Sequence, residues 1–148
     1  MTTHRFAVAI SRFNPEVTEG LLAGALAEFA QRGAPVAQAD VFEAPGAFEL
    51  PLIAQALART GRYAGIACLG CVIKGDTAHF EFISAGAAWG LVSAGLATET
   101  PIAFGVLTTY TDEQAAIRSR DDAGNKGREA AAACVEAAAT LRVIRAAA

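Results

Sequence analysis

The eleven residues from Tyr63 to Ile73, YAGIACLGCVI, carry no charged side chain. An apolar run of that length, with no polar alternation, fits a strand covered on both faces, as at the centre of a parallel sheet. Side chains three apart on a strand point to opposite faces. Cys68 and Cys71 of CLGC, though spaced like a redox or metal-binding pair, are therefore split across the sheet. Cys134 brings the count to an odd three, and no second ligand pair is present for zinc. The thiols read as packing groups in a reducing compartment, and no metal is expected.

Strand and helix signals alternate around that run. FAVAIS, residues 6–11, is a short apolar strand followed by the turn-like RFNP, and the segment from Glu16 to about Arg32 sets Leu21, Leu22, Ala25, Leu26 and Phe29 on one helical face. VAQADVF gives a second strand, APGA breaks it, and FELPLIAQALAR gives a helix with a proline near its start. From His79 to about Ala97 the chain is apolar almost all round. That suits a helix buried on several sides, which needs more neighbours than one small domain supplies. IAFGVLTT is the fourth strand, DEQAAIRSR a short helix, DDAGNKG a polar loop and REAAAACVEAAATLRVIR a final alanine-rich helix. The expected fold is α/β, a three-layer α/β/α sandwich with a central four-stranded parallel sheet flanked by helices on both faces and joined by right-handed crossovers. The 148 residues suffice for one domain spanning 1–148, with a real core and no staples.

Twelve basic against fifteen acidic side chains give a formal charge of -3. With no basic stripe interleaved with aromatics, nucleic acid is not an expected partner. Residues 1–11 lack a signal-peptide layout, and no segment reads as an uninterrupted membrane span. The expected location is cytoplasmic, without a membrane partner.

Parallel sheets bind ligands beyond the carboxyl ends of their strands. RFN, APGAFE, KGDTAH and the residues after IAFG fall there. Gly75, Asp76 and Thr77 read as a turn into a helix, glycine permitting unusual backbone angles and Asp or Thr capping free amides. His79 then lies in the first turn, where outward amides favour an anion and a neutral imidazole. GCVIKGDT differs from a nucleotide-binding P-loop, since Asp76 follows the second glycine and Lys74 precedes it. What remains is a simpler anion site whose cation comes from elsewhere. Arg118 and Lys126 are candidates, although on the residues alone each suits a solvated surface charge better. Phe13 fits either stacking on a planar ligand or stapling the next helix. Glu49 fits either a ligand contact or a helix-dipole carboxylate. His4 has no assigned role.

Together, SRFN, APGAFELP, GCVIKGDTAHFEF, PIAFGVLTT and AGNKG resemble the lumazine synthase family, in its order and approximate spacing, from about Phe6 to Val135. The resemblance agrees with a flavodoxin-like sandwich. It implies condensation of 5-amino-6-(D-ribitylamino)uracil with 3,4-dihydroxy-2-butanone 4-phosphate to 6,7-dimethyl-8-ribityllumazine, phosphate and water, the penultimate step of riboflavin biosynthesis, with no metal or organic cofactor. Carried over by motif, Phe13 stacks on the pyrimidine, Asn14, Ala47, Phe48 and Glu49 lie along the ribityl chain, and Val72, Ile73 and Lys74 meet the ring through backbone groups. Gly75, Asp76 and Thr77 hold the phosphate, and His79 transfers protons. The segment around Phe104, with Arg118 on the phosphate and Lys126 beside the heterocycle, would come from a neighbouring subunit. The resemblance further implies pentamers, closed in some members into sixty-subunit shells, and riboflavin synthase as a partner. Tyr110 and the aspartates Asp121 and Asp122 depart from the family pattern. The rival readings are a silent flavin- or lumazine-binding module, a purely structural shell protein on the same fold, and another aldol- or imine-forming enzyme for a phosphorylated ketone.

Overall fold

The computed structural model describes residues 4–148. Its elements are β1 (Phe6–Ser11), α1 (Pro15–Gln31), β2 (Val41–Ala44), α2 (Leu50–Arg59), β3 (Gly65–Ile73), α3 (His79–Thr98), β4 (Ile102–Thr109), α4 (Asp112–Arg118) and α5 (Lys126–Ala146), with single 3-10 turns at Gln38–Asp40 and Ala47–Glu49. The four strands are all parallel, in the order β2-β1-β3-β4. The chain reverses its direction of travel across the sheet between β1 and β3, which makes their carboxyl ends the topological switch point.

The apolar run lies at the centre, as its composition requires. Ala67, Leu69 and Cys71 enter the core beneath α1 and α5, while Ile66 and Cys68 enter the core beneath α2 and α3. CLGC is thus divided between two cores. All three thiols are buried, and loss of solvation pushes Cys71 up to about 11 and Cys134 up to about 12, with Cys68 raised further by burial and by Cys134. They remain protonated packing groups at neutral pH.

The second strand is shorter than VAQADVF suggests. Gln38–Asp40 turns instead of extending because Asp40 is drawn inward to a fixed set of donors. Arg5 grips it through Nη2 at 2.6 Å and Nε at 2.9 Å, and the Tyr63 hydroxyl donates at 2.8 Å. The Arg5 hydrogen bonds hold the Asp40 carboxyl below its ordinary range despite burial. A depressed folded pKa contributes stability above the unfolded value near 3.9, and that contribution is lost as pH falls through the folded value. Asp40→Asn is accordingly expected to cost about 2 kcal/mol at pH 7. Urea unfolding should show the gap from wild type narrowing below about pH 4.

α3 departs from one expectation: at 20 residues it is long and apolar enough to cross a membrane by length and composition, so a span-length segment does exist. One chain does not cover it, in line with its need for more neighbours than a small domain supplies: Ala87, Leu91 and Ala94 face inward, while Phe82, Trp89 and Leu96 are 73%, 73% and 76% exposed. The inward side is lined by small residues that admit α2. A Cβ on Gly86 would come within 2.8 Å of the Phe48 ring, and one on Gly90 within 2.5 Å of Pro51. The outward side is a bare apolar stripe, of the kind that marks an interaction surface.

Candidate active site

Two clefts of similar size hold most of the residues singled out above. The first, about 350 Å³, opens at the switch point and is lined by Phe13, Asn14, Ala47, Phe48, Glu49, Val72, Ile73 and His79, with Gly46, Cys71 and Ile83. Asn14 caps α1 in a left-handed conformation, φ 55°, that few non-glycine residues tolerate. Its side-chain Nδ2 donates to the Cys71 carbonyl at 3.0 Å, tying the loop after β1 to the end of β3. That bond fixes Phe13 just outside, 67% exposed, with its ring against the bare face of Gly46. A Cβ at Gly46 would stand 3.2 Å from both the ring and Glu49 Oε1, so this glycine lets an aromatic wall and a carboxylate share one cleft. Phe13 is free to stack on a flat ligand, and the stapling alternative loses ground.

Beside this cleft, β3 runs into the anion turn. The Lys74 amide still donates to the Thr109 carbonyl at 2.9 Å, after which Gly75, Asp76, Thr77 and Ala78 are exposed. Capping is sparse. Thr77 Oγ1 accepts from the His79 amide at 3.3 Å, whereas the cap position is Ala78, with no side-chain acceptor. Among the described residues, no backbone carbonyl takes up the amides of Asp76, Thr77 or Ala78. Free amides at the start of a long helix form an anion receptor. The turn's own cation is already engaged, because Lys74 Nζ lies 3.0 Å from Glu81 Oε1 and holds that carboxyl below its ordinary range.

The second cleft, about 330 Å³, lies along the edge strand β4 and contains Phe104, Arg118 and Lys126, with Thr108, Thr109 and Glu129 among its walls. Phe104 sits within β4 and not at its carboxyl end, so it reaches a ligand only from the sheet's edge. Arg118 donates to the Gln114 carbonyl of its own helix at 3.0 Å and makes no salt bridge among the described residues. Lys126 pairs with Glu129 at 2.7 Å. One chain therefore holds a turn of free amides whose own lysine is engaged and, on another edge, an arginine with no salt bridge among the described residues.

Sequence reasoning missed what holds the second cleft together. Asn125, fully buried, caps α5 by accepting from the amides of Gly127 (2.8 Å) and Arg128 (3.1 Å), and donates to the carbonyls of Gly20 (3.1 Å) and Arg120 (2.8 Å). The loop that separates Arg118 from Lys126 is thereby pinned onto α1. An asparagine directly before a helix start was the legible part of this signal. Its long-range bonds had no sequence signature. Among the described residues, no group of three His, Cys, Asp or Glu side chains could hold a metal.

A parallel α/β sheet with an aromatic-walled cleft at its switch point, flanked by a turn of free amides, defines a ligand-binding α/β protein. The sequence model for 6,7-dimethyl-8-ribityllumazine synthase matches residues 3–142, and the chain belongs to that family. It is 72% identical to 6,7-dimethyl-8-ribityllumazine synthase 1 of Caulobacter vibrioides over 95% of this chain and 92% of that protein. It is 47% identical to the 6,7-dimethyl-8-ribityllumazine synthases of Salinibacter ruber, over 93% and 88% of the two chains, and of Deinococcus radiodurans, over 95% and 90%.

Proposed function

We propose that this chain is a transferase condensing 5-amino-6-(D-ribitylamino)uracil with 3,4-dihydroxy-2-butanone 4-phosphate, which yields 6,7-dimethyl-8-ribityllumazine, phosphate and water in the penultimate step of riboflavin biosynthesis. The observation that carries this reading is the aromatic wall at Phe13 in one cleft, with the free amides of Asp76 to Ala78 in the turn between its lining residues Ile73 and His79. Phe13 stacks on the pyrimidine, and Asn14, Ala47, Phe48 and Glu49 follow the ribityl chain. Gly75, Asp76 and Thr77 receive the phosphate. The substrate amine attacks the ketone to give an imine and water; a proton leaves the adjacent carbon as phosphate departs; after tautomerisation the second nitrogen closes the ring with loss of another water. His79, on the cleft wall in the first turn of α3, is placed to carry those protons. Holding both substrates in register contributes more to the rate than any one proton transfer, up to roughly 7–11 kcal/mol in favourable cases.

The cation missing from the anion turn comes from the second cleft of a neighbouring copy, with Arg118 on the phosphate, Lys126 beside the heterocycle and Phe104 closing the cleft. The exposed stripe Phe82, Trp89, Val92 and Leu96 on α3 supports packing around a shared axis in a homopentamer. Burial of that stripe between protomers, and not in lipid, accords with a single-domain cytoplasmic enzyme. Light scattering should give about five times the chain's 15.2 kDa; a stable monomer would exclude the shared site. A silent flavin- or lumazine-binding module on this fold has no need of the anion turn, His79 and Arg118 together. Mixing purified protein with both substrates should produce the lumazine absorbance, and its absence would overturn the assignment. Glu49→Gln should raise KM for the ribityl substrate about tenfold with little change in kcat, the sign of a contact made equally in ground and transition states.

A further inference from the structure

Tyr110, one of the departures from the family pattern, stands directly after β4 and is 66% exposed, yet its surroundings are ordered. Its ring centroid lies 6.0 Å from that of Phe80, the two planes tilted by 46°. Lys74 Nζ sits 5.9 Å from each centroid while it bonds Glu81 at 3.0 Å. The Tyr110 amide donates to Gln114 Oε1 at 2.8 Å, which fixes the residue's backbone to α4.

Lys74 immediately precedes the anion turn, and Phe80 and Glu81 follow it in the first helical turn of α3. The turn is thus fastened across its own mouth: the ammonium from one side meets a carboxylate and a ring from the other, with Tyr110 closing the arrangement from β4. Two aromatic faces attract a cation and restrict where a flexible lysine can go. An ion pair between two half-exposed side chains is weak by itself. The rings give this one a fixed place, and a turn held in shape does not have to be ordered by its ligand.

We propose that Tyr110 is a positioning residue for the phosphorylated substrate, keeping Lys74 clasped to Glu81 so that residues 75–78 stay open to the phosphate. The inference rests on the reading of those residues as the phosphate turn. Tyr110→Leu, which keeps bulk and removes the aromatic face, should raise KM for the butanone phosphate about three- to fivefold. It should weaken competitive inhibition by inorganic phosphate by the same factor, with kcat and KM for the ribityl substrate unchanged. Tyr110→Phe should restore wild-type values, since the hydroxyl has no bonding partner among the described residues, and Glu81→Gln should reproduce the Leu variant. Equal rises in both KM values, or failure of Phe to rescue, would overturn the clasp. If Tyr110→Leu is silent while Thr77→Ala still raises KM for the phosphorylated substrate, the clasp falls and the phosphate turn stands; silence of both removes both.

Discussion

Arg118→Ala should lower kcat/KM by about 10³, most of it through KM for the butanone phosphate, because a charge-assisted contact to a desolvated anion is worth roughly 2–5 kcal/mol. The two lysines of the clefts are already engaged, Lys74 by Glu81 and Lys126 by Glu129. His79→Ala should be milder, about 10² in kcat with KM nearly unchanged, since the imidazole is exposed and water can carry part of the proton traffic. Equal and negligible effects of both would end the account. Mixing the two variants gives a sharper result. If each site joins the first cleft of one chain to the second cleft of another, co-assembled chains rebuild about a quarter of their sites with both residues intact, from random pairing of equal halves. Activity should then rise well above either parent. Activity confined to the parents' sum would mean that each chain serves only itself.

The proposed division between chains matches which parts of the site could be read beforehand. Residues 6–11, the central run and the start of α3 at His79 follow from local pattern, since a strand covered on both faces and a helix opening after a glycine turn have their causes within a few residues. The first cleft was legible because its parts follow successive strands and meet at the switch point by topology alone. The second was not, because Phe104 reaches its cleft from mid-strand and Arg118 and Lys126 are brought together by Asn125, whose bonds to Gly20 and Arg120 depend on how α1 and α5 pack. The same holds for Asp40, where a partner 35 residues away converts an apparent strand into a turn. The apolar character of α3 was plain in sequence, but nothing within a few residues of it encodes what covers its outer stripe.

The packing of α1 against α5 gives the largest expected effect on folding. A Cβ at Gly127 would collide with the Leu21 carbonyl oxygen, and one at Gly24 with the Asn125 side chain. Neither obstacle is a flexible tip. Leu21 is fully buried within a helix, and Asn125 is held by four hydrogen bonds, so an added methyl can be admitted only by moving one helix off the other. Overpacking against rigid neighbours costs about 3 kcal/mol or more, a large fraction of a typical domain's 5–15. Gly127→Ala should therefore lower the urea midpoint sharply or leave the protein insoluble. Asn125→Ala should cost less, about 2–3 kcal/mol, by deleting the α5 cap and leaving the Gly20 and Arg120 carbonyls without their donor. Any Asn125→Ala protein that folds should also lose activity, because the loop between Arg118 and Lys126 is no longer pinned, whereas a surface change such as Arg59→Ala should alter neither property. A Gly127→Ala protein with wild-type stability would show that α1 and α5 do not meet at this point, and the second cleft, framed by α5, would lose its basis.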